Sequence, residues 1–321
     1  MIAYLLRRVL QVVPVIAIII VVCFVLVHTA PGDPITFITG ESGGTPEFVA
    51  QIRAQYGLDQ PLYVQLLVYL GQVIRGDLGY SFISRASVVS VIMSRLPATL
   101  LLFGTQFVLS IVFGIILGVL SSLKPRSAGD QSVTVLSLIG YAVPPFWLAQ
   151  MVLLVFSLQM GWFPAQGMQS LRVPAHGFGQ VIDIIQHLTL PALTLTVFNL
   201  ALIARVTRAN MVATLGLEFI TYARSKGASE STIIWVHALR NAVLPVITVI
   251  GLNIRSLIAG AVLTETVFGW PGIGRLTYDS ILARDYPVLM GILIMIGLTI
   301  VIGNLLTDIA YALVDPRVRY K

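Results

Sequence analysis

The sequence predicts an all-α integral membrane protein with six transmembrane helices and with both termini in the cytoplasm. Three observations support this prediction: the composition, six long apolar stretches and the placement of lysine and arginine. Of the 321 residues, 57% are hydrophobic and only 11% are charged, and the mean hydropathy is +0.91. A soluble domain carries about 25% charged residues. So much apolar surface cannot be hidden in a soluble core, and we expect most of it to face a lipid bilayer.

The six apolar stretches are each long enough to cross a bilayer as a helix, which takes about 20 residues. They cover residues 9–29, 99–123, 133–159, 188–207, 243–264 and 288–312. The first stretch exceeds the apolar core of a signal peptide, and no small-residue cleavage site follows it. We therefore expect an uncleaved anchor at the N-terminus.

The basic residues predict the orientation, because cytoplasmic loops of membrane proteins carry an excess of lysine and arginine. With the N-terminus inside, twelve of the 20 basic residues fall on the inside segments and seven on the much longer outside segments. The net charge of +6 is then a topology signal, and we expect no nucleic acid as a partner.

Three parts of unequal length follow one another along the chain. Residues 1–94 combine the first span with a long outside segment, residues 95–312 contain the other five spans, and residues 313–321 form a cytoplasmic tail. Within the outside segment, over residues 30–98, the apolar patterns of 46–58 and 62–74 predict short helices on the membrane surface or on the spans. Gly76 and Gly79 favour turns after the second of these helices.

The longest inside segment, the 208–242 loop, predicts a helix, a glycine turn and a second helix. Good helix formers over residues 218–225 place Glu218 in a first turn, and Gly227 follows where a helix ends in a left-handed residue. Ser229 is a candidate cap for a second helix over residues 230–241. Pro245 stands where the fifth span begins.

Side chains of the 208–242 loop suit contact with another protein. Ala223 and Gly227 are small and allow a second backbone to approach, while Phe219 and Tyr222 can supply an apolar knob. Basic side chains at positions 224 and 226 can supply a charged rim. Such an element could carry force from a soluble partner to the spans. The alternative is a solvated, basic inner loop.

At this loop the chain resembles a known family. The run YARSKGAS at 222–229, followed by HALRNA at 237–242 and Leu244-Pro245, is similar to the cytoplasmic loop of permeases for dipeptides, oligopeptides, glutathione and nickel. Other matching runs, in order, are LLRR at 5–8, PGDP at 31–34, YGLDQP at 56–61, GDLG at 76–79, RLPAT at 95–99, GWFP at 161–164, ETVFGWPGIG at 265–274, RDYP at 284–287 and DPR at 315–317. Any one of them is a weak signal, but the ordered set is specific.

The resemblance implies the transmembrane fold of a type I ABC importer and the role of its permease subunit in a bacterial cytoplasmic membrane. It also implies three kinds of partner: a homologous second permease, cytoplasmic ABC ATPase subunits and an extracytoplasmic binding protein. In such importers the loop is a coupling segment that enters a cleft of the ATPase. The residues that the resemblance assigns to ATPase coupling are Phe219, Thr221, Tyr222, Ala223, Arg224, Lys226, Gly227, Ala228, Ser229 and His237. The general motif begins with Glu-Ala-Ala, where this chain has Thr221-Tyr222-Ala223, a departure similar to that of the peptide and nickel branch.

The lysines show that the sequence contains no phosphate-binding loop, which requires Gly-Lys-Ser/Thr. The only lysines are Lys124, Lys226 and Lys321, and none of them follows a glycine. We therefore expect no enzymatic activity and no cofactor in this chain, with ATP and Mg²⁺ bound by the partner ATPase. The four histidines are scattered along the chain and predict no metal site.

Polar residues at membrane depth are costly and often line a transport path. The candidates for the translocation pathway or its gate are Asn253, Arg255, Pro144, Pro145, Asn304 and Asp308. The alternatives are a buried structural pair of Arg255 with Asp308, and a proline kink with no role in transport.

Other residues predict contacts within the membrane. Gln106 and Asn199 are expected to form interhelical hydrogen bonds, and Gly114 with Gly118 predicts a close helix contact. Residues 265–273, dense in glycine, proline and aromatic residues, predict a rigid outer turn. This turn could dock the binding protein, shape the outer gate or contribute aromatic side chains to an interfacial belt.

Two other function classes remain open on the sequence. A stand-alone secondary transporter usually needs carboxylates within the membrane, and Asp308 is the only acid within a predicted span. A membrane enzyme would need clustered acids, histidines or a nucleophile elbow, and the sequence shows none. Dipeptides, longer peptides, glutathione and a nickel chelate are all candidate cargoes.

Overall fold

The structure is a computed structural model that describes residues 14, 16–22, 24–25, 47, 59–81, 83–170, 177–255 and 262–314. For residues 252–255 and 308–314 it describes the backbone alone. The chain divides into two compact units, one of residues 1–97 and 276–301 and the other of residues 98–275 and 302–321.

Helices account for most of the described residues, which confirms the all-α class. They are α1 Leu62–Ile74, α2 Val88–Leu123, α3 Ala128–Ala142, α4 Pro145–Val152, α5 Phe178–Leu215, α6 Glu218–Ser225, α7 Glu230–Thr232, α8 Leu239–Arg255, α9 Val262–Val267, α10 Ile273–Leu282 and α11 Tyr286–Val314. Two π-helical segments, Leu153–Gln159 and Ile233–Ala238, continue α4 and α7. Two short strands, β1 Tyr80–Ser81 and β2 Ala86–Ser87, form an antiparallel hairpin.

Within the described ranges, four helices are long and apolar enough to cross a membrane by length and composition. They are α2, α5, the continuous helix that begins at Glu230 and includes most of α8, and α11. The pair α3 and α4, with its π-helical continuation, would make a fifth span that is bent by 101°. The described residues of the predicted first span, 14–25, are helical. The count of six spans and their orientation stay predictions.

Prolines explain two differences between the predicted and the observed helices. The third predicted span is broken, because a residue before proline is pushed out of the helical region, and Val143 and Pro144 both adopt extended ψ angles of 126° and 131°. The second helix of the 208–242 loop does not end at residue 241 but continues through Pro245 into the membrane helix. A proline inside a helix removes one hydrogen bond, which membrane helices tolerate.

In the first unit, α1 has the predicted bounds, 62–74. The predicted helix at 46–58 lies outside the described residues except for residue 47, which is helical. Gly76 and Gly79 have φ angles of +82° and +93°, as expected for turn glycines. From strand β1 of the hairpin, the hydroxyl of Ser81 donates a hydrogen bond to the buried carboxylate of Asp285.

In the second unit, α2 and α5 are in close contact, as the small residues predicted. A Cβ atom at Gly118 would lie 2.5 Å from Cβ of Thr207 and 2.7 Å from the carbonyl oxygen of Ala204. Asn199 of α5 donates from Nδ2 to Oε1 of Gln106 in α2 at 3.1 Å. Both predicted helix contacts are confirmed.

The turn between α9 and α10 folds back onto the start of this unit. Trp270 is fully buried, and its indole N–H donates to the carbonyl of Ala98 at 2.9 Å. Phe268 is 2% exposed and packs with Ala149 and Leu190. Its ring and that of Trp270 therefore belong to the protein core, which contradicts the alternative of an interfacial aromatic belt at this turn. The other two alternatives, docking of the binding protein and shaping of the outer gate, stay predictions.

Candidate functional site

The 208–242 loop has the predicted helix, glycine turn and second helix. Helix α6 has the predicted bounds, 218–225. Gly227 follows with a φ angle of +81°, and a Cβ atom there would meet nothing within 4 Å. The next helix is capped by Ser229, whose Oγ accepts from the backbone N–H of Thr232 at 3.3 Å. The turn is therefore held by its own backbone and leaves an open surface above Gly227.

An apolar cluster attaches these helices to the membrane helices. Its buried members come from α2, α5, α6, the second π-helical segment and α8, and they are Val119, Met211, Ile220, Ile233, Ala238 and Ala242. Ala223 and Ala228 pack against the cluster from partly buried positions. Ala223 therefore also contributes to the packing of the loop, and the approach of a partner at this position stays a prediction.

The opposite face of the loop is exposed and carries aromatic and basic groups. Phe219 and Tyr222 are 40% and 61% exposed. The ammonium of Lys226 lies 4.5 Å from the ring centroid of Tyr222, a cation–π distance. Arg224 donates from Nε and Nη2 to the two carboxylate oxygens of Glu230 at 2.7 and 3.2 Å. This hydrogen bonding raises the pKa of Arg224, and the Glu230 carboxylate compensates its charge, so Lys226 is the cation of this face that has no carboxylate partner among the residues that the structure describes.

The ten predicted coupling residues thus divide between two sides of one element. The exposed ones are Phe219, Thr221, Tyr222, Arg224, Lys226, Gly227 and Ser229, and the partly buried ones are Ala223, Ala228 and His237. The carbonyl of His237 accepts from Nδ2 of Asn241 at 2.8 Å, within the helix. The assignment of these residues to ATPase coupling stays a prediction.

Of the pathway candidates, the structure describes the side chains of Pro144, Pro145 and Asn304, and none of them is among the members of the loop's apolar cluster. Pro144 and Pro145 form the bend between α3 and α4, beside an apolar concavity lined by Ile139, Ala142, Val143, Phe146 and Trp147. Within the described part of the chain, Oδ1 of Asn304 is buried and has no hydrogen-bond partner. The side chains of Asn253, Arg255 and Asp308 lie outside the described residues, so a pair of Arg255 with Asp308 stays a prediction. No group of three His, Cys, Asp or Glu side chains that could hold a metal ion occurs among residues that the structure describes.

Sequence reasoning misses the burial of three carboxylates among the described residues, Asp130, Glu265 and Asp285, which are 3%, 0% and 5% exposed. Asp130 pairs with Arg208, which lies 78 positions further along the chain, so no local pattern marks the pair. A partial signal exists at Ser127, whose Oγ accepts from the backbone N–H of Asp130. A serine followed three residues later by an acid is typical of a helix start.

Glu265 occupies a cradle of backbone between α9 and α10. Its Oε2 accepts from the backbone N–H of Arg275 at 2.9 Å, and its Oε1 accepts from the hydroxyl of Thr99 at 3.3 Å. A Cβ atom at Gly272 would lie 2.3 Å from Oε2, so a larger residue there would displace the carboxylate. The guanidinium of Arg275 donates to the carbonyl of Gly269 at 2.7 Å. Glu265 itself lies just beyond the predicted fifth span, 243–264. Burial raises the pKa of its carboxyl group to about 7, against the opposing effect of its hydrogen bonds.

Known proteins resemble this chain over its whole length. The family model described as binding-protein-dependent transport system inner membrane component matches residues 110–320, and the model for the N-terminal part of such membrane components matches residues 1–103. The chain is 41% identical over 321 residues to the oligopeptide transport system permease protein AppB of Bacillus subtilis (strain 168), with 100% of both chains covered. It is 40% identical over 338 residues to the dipeptide transport system permease protein DppB of Escherichia coli (strain K12), again with 100% of both covered.

A solved structure shares the fold. A chain of the MetNI methionine ABC transporter in an inward facing conformation superposes with a TM-score of 0.56 at 16% identity, covering 71% of this chain and 97% of that chain. The likeness at this identity concerns the fold alone. The family matches and the full-length relatives confirm the resemblance found in the sequence, and the chain belongs to the binding-protein-dependent transport system inner membrane components.

Proposed function

We propose that this chain is the permease subunit of an ATP-driven peptide importer and that its 208–242 loop receives the movement of a partner ATPase. The observation that carries the proposal is the two-sided construction of this loop. Its outer face exposes aromatic and basic groups, and its inner face is packed into the membrane helices. The relatives named as oligopeptide and dipeptide permeases, which match the chain from end to end, support peptides as the cargo.

The partners follow from this proposal. A soluble ATPase binds ATP and Mg²⁺ and docks on the outer face of the loop from the cytoplasm, where both termini of this chain also lie. A homologous permease supplies the other half of the translocation pathway, and an extracytoplasmic binding protein delivers the peptide. The membrane is then the cytoplasmic membrane of a bacterium, which the family description as an inner membrane component supports.

Close packing allows the loop to pass its movement to the membrane helices. Ile220 of α6 and Ile233 of the following helix are fully buried against Val119 of α2 and Met211 of α5. Close-packed interiors have low compressibility and transmit strain, so a push on α6 is passed on to α2 and α5. The helix that begins at Glu230 continues without a break into the membrane helix α8. Movement of the loop is therefore also passed to α8 directly.

Truncation of the exposed aromatic tests the proposal. Tyr222→Ala should weaken ATPase binding by about 2 kcal/mol or more, roughly thirtyfold. A tyrosine that is exposed in the free subunit and becomes buried in the interface often contributes a large part of the binding energy. Tyr63→Ala is the matched control, since Tyr63 is a similarly exposed helical tyrosine, at 68%, in α1. The measurements are the ATPase retained per permease after purification and the ATP-driven uptake of a dipeptide into vesicles supplied with the binding protein.

Two outcomes would refute the proposal. One is that Tyr222→Ala retains as much ATPase and uptake as Tyr63→Ala. The other is that the purified chain alone drives uphill peptide uptake, as a secondary transporter would.

A further inference from the structure

An ion pair outside the 208–242 loop's apolar cluster joins α3 to α5. Arg208 donates from Nε and Nη2 to the two carboxylate oxygens of Asp130, and the Nη2–Oδ2 distance is 2.7 Å. The backbone N–H of Arg126 donates to Oδ2 at 2.7 Å. The side chains of Asp130 and Arg208 are 3% and 30% exposed. This is a bidentate ion pair with a buried carboxylate. Bidentate pairs fix the relative geometry of the two charged groups and also contribute favourable interaction energy.

Arg208 lies on α5 at the start of the 208–242 loop, beside the part of α5 against which the loop's two helices pack. Met211, one turn beyond Arg208, is fully buried in the apolar cluster, and Leu215 packs against that cluster. The described members of the cluster come from α2, α5, α6, α8 and the residues between α6 and α8, and none comes from α3. Movement of the loop therefore reaches α3 through its contacts with α5.

A second contact holds the other end of α3. The ring of Tyr141 stacks on Phe198 of α5 at a centroid distance of 5.0 Å, and the guanidinium of Arg205 lies 5.4 Å from the Tyr141 centroid. A Cβ atom at Gly140 would lie 3.0 Å from Cγ1 of Val197. Helix α3 is thus held against α5 near both of its ends. The 101° bend into α4 begins two residues beyond Tyr141.

The two contacts differ in what they prevent. Contacts between rings and small apolar residues are less directional than charged hydrogen bonds, and helices packed in this way can move past one another by small shear displacements. A bidentate ion pair has a fixed geometry, and it loses its hydrogen bonds when one helix slides along the other. The Asp130 carboxylate also accepts from the backbone N–H of Arg126, two residues before α3 begins, so the pair is tied to the backbone that leads into the helix.

We propose that the Asp130–Arg208 pair is a clamp that makes α3, and the bend at its end, follow α5 when the 208–242 loop moves. Both are positioning residues, since they act through the helices that they join and contact neither ATP nor cargo. The inference rests on the proposed function of the loop. It adds a route from the loop to the bent helix pair, which contains the pathway candidates Pro144 and Pro145.

The first test measures peptide taken up per ATP hydrolysed in the complete importer. Asp130→Asn keeps the shape and one acceptor but removes the charge, and Arg208→Lys keeps the charge but removes the fork. Each should lower uptake per ATP by about fivefold, within the range that coupling mutations produce, while the ATPase stays bound. Asp183→Asn is the control, because Asp183 is a hydrogen-bonded carboxylate at the far end of α5 and should leave the ratio unchanged.

The second test measures the movement itself. In a chain with Cys23→Ser, spin labels on Ser132→Cys of α3 and Ala209→Cys of α5, both exposed positions, report the distance between the helices by pulsed electron paramagnetic resonance. With the clamp intact, one distance should persist with and without ATP. With Asp130→Asn, the distribution should broaden or shift when ATP is added.

The outcomes separate the clamp from the proposed function. Unchanged uptake per ATP in both variants, or a label distance that Asp130→Asn leaves unaltered, overturns the clamp. If Asp130→Asn prevents assembly of the complex, Arg208→Lys decides: a lowered ratio supports the clamp and an unchanged ratio overturns it. Failure of the unmodified chain to retain an ATPase would instead refute the proposed function.

Discussion

Replacing Glu265 by glutamine should remove a pH dependence from the stability of the turn between α9 and α10. Burial raises the pKa of this carboxyl group from 4.5 to about 7. The native state therefore holds the proton more tightly than an unfolded or locally opened chain does. The stability that this group contributes is fully present below about pH 4.5 and is lost as the pH rises to about 7.

The magnitude follows from the size of the pKa change. A rise from 4.5 to about 7 corresponds to about 3 kcal/mol, at 1.36 kcal/mol for each pKa unit. Glutamine has almost the same shape, is neutral at every pH and can accept the hydrogen bond that Arg275 donates from its backbone. Glu265→Gln should match the unmodified protein at pH 4.5 and exceed it by about 3 kcal/mol of local stability at pH 8.

Hydrogen exchange measured across residues 262–275 is the appropriate assay, because it reports local opening of the turn. Protection factors, corrected for the intrinsic pH dependence of exchange, should fall from pH 4.5 to pH 8 in the unmodified protein and stay level in Glu265→Gln. Glu218→Gln serves as a control, since Glu218 is an exposed carboxylate in α6 and its loss should not alter exchange in the turn. Parallel pH profiles for Glu265→Gln and the unmodified protein would refute the reasoning.

Three further substitutions test the loop and the helix contacts. Gly227→Val should abolish ATP-driven uptake while the chain still inserts, because the site has a φ angle of +81° and faces open space. Gly79→Val, at +93° with equally open surroundings, should impose the same backbone strain and spare uptake, and equal uptake in the two would contradict a docking role. Ile220 is fully buried where the loop packs onto the membrane helices. Ile220→Ala should lower the free energy of unfolding by about 2–5 kcal/mol and Ile220→Val by about 0.5–1.5 kcal/mol. Thermal unfolding in detergent measures both losses, and equal losses would argue against close packing there. Gly118→Val should separate α2 from α5 and reduce the yield of folded protein, because its Cβ atom would lie 2.5 Å from a side-chain atom of Thr207. Gly104→Val is the control and should be tolerated, because a Cβ atom there has nothing within 4 Å. Similar yields of the two variants would show that the contact at Gly118 is not tight.

Local features of the sequence predicted the elements that depend on nearby residues. The bounds of α1 and α6, the left-handed turn at Gly227 and the cap at Ser229 all agree with the structure. Each depends on residues within one or two helical turns, where propensity, capping and glycine geometry act directly. The close approach at Gly118 was also predictable, because small residues spaced by four lie on one face of a helix.

Features that depend on distant residues were not predictable in the same way. The periodicity of the 208–242 loop indicates that Phe219 and Tyr222 form an apolar knob, but not that Ile220 between them anchors the loop. Ala223 shows the same limit, because a small side chain suits an approach from either side. The aromatic side chains of the turn at 265–273 suited an interface with lipid equally well, and only their packing partners show that Phe268 and Trp270 are buried.

By itself, the sequence predicted a protein that spans a lipid bilayer, indicated its family of importer permeases and marked the 208–242 loop as a candidate for contact with a partner. Composition, basic-residue placement and ordered motifs are properties of the chain and need no coordinates. Only the tertiary structure decided which charges are buried and what they hold. Arg208 meets Asp130 across 78 positions of sequence, and Glu265 meets Thr99 across 166. A carboxylate far along the chain from its partner has no local pattern to mark it, because its environment exists only when the helices have packed.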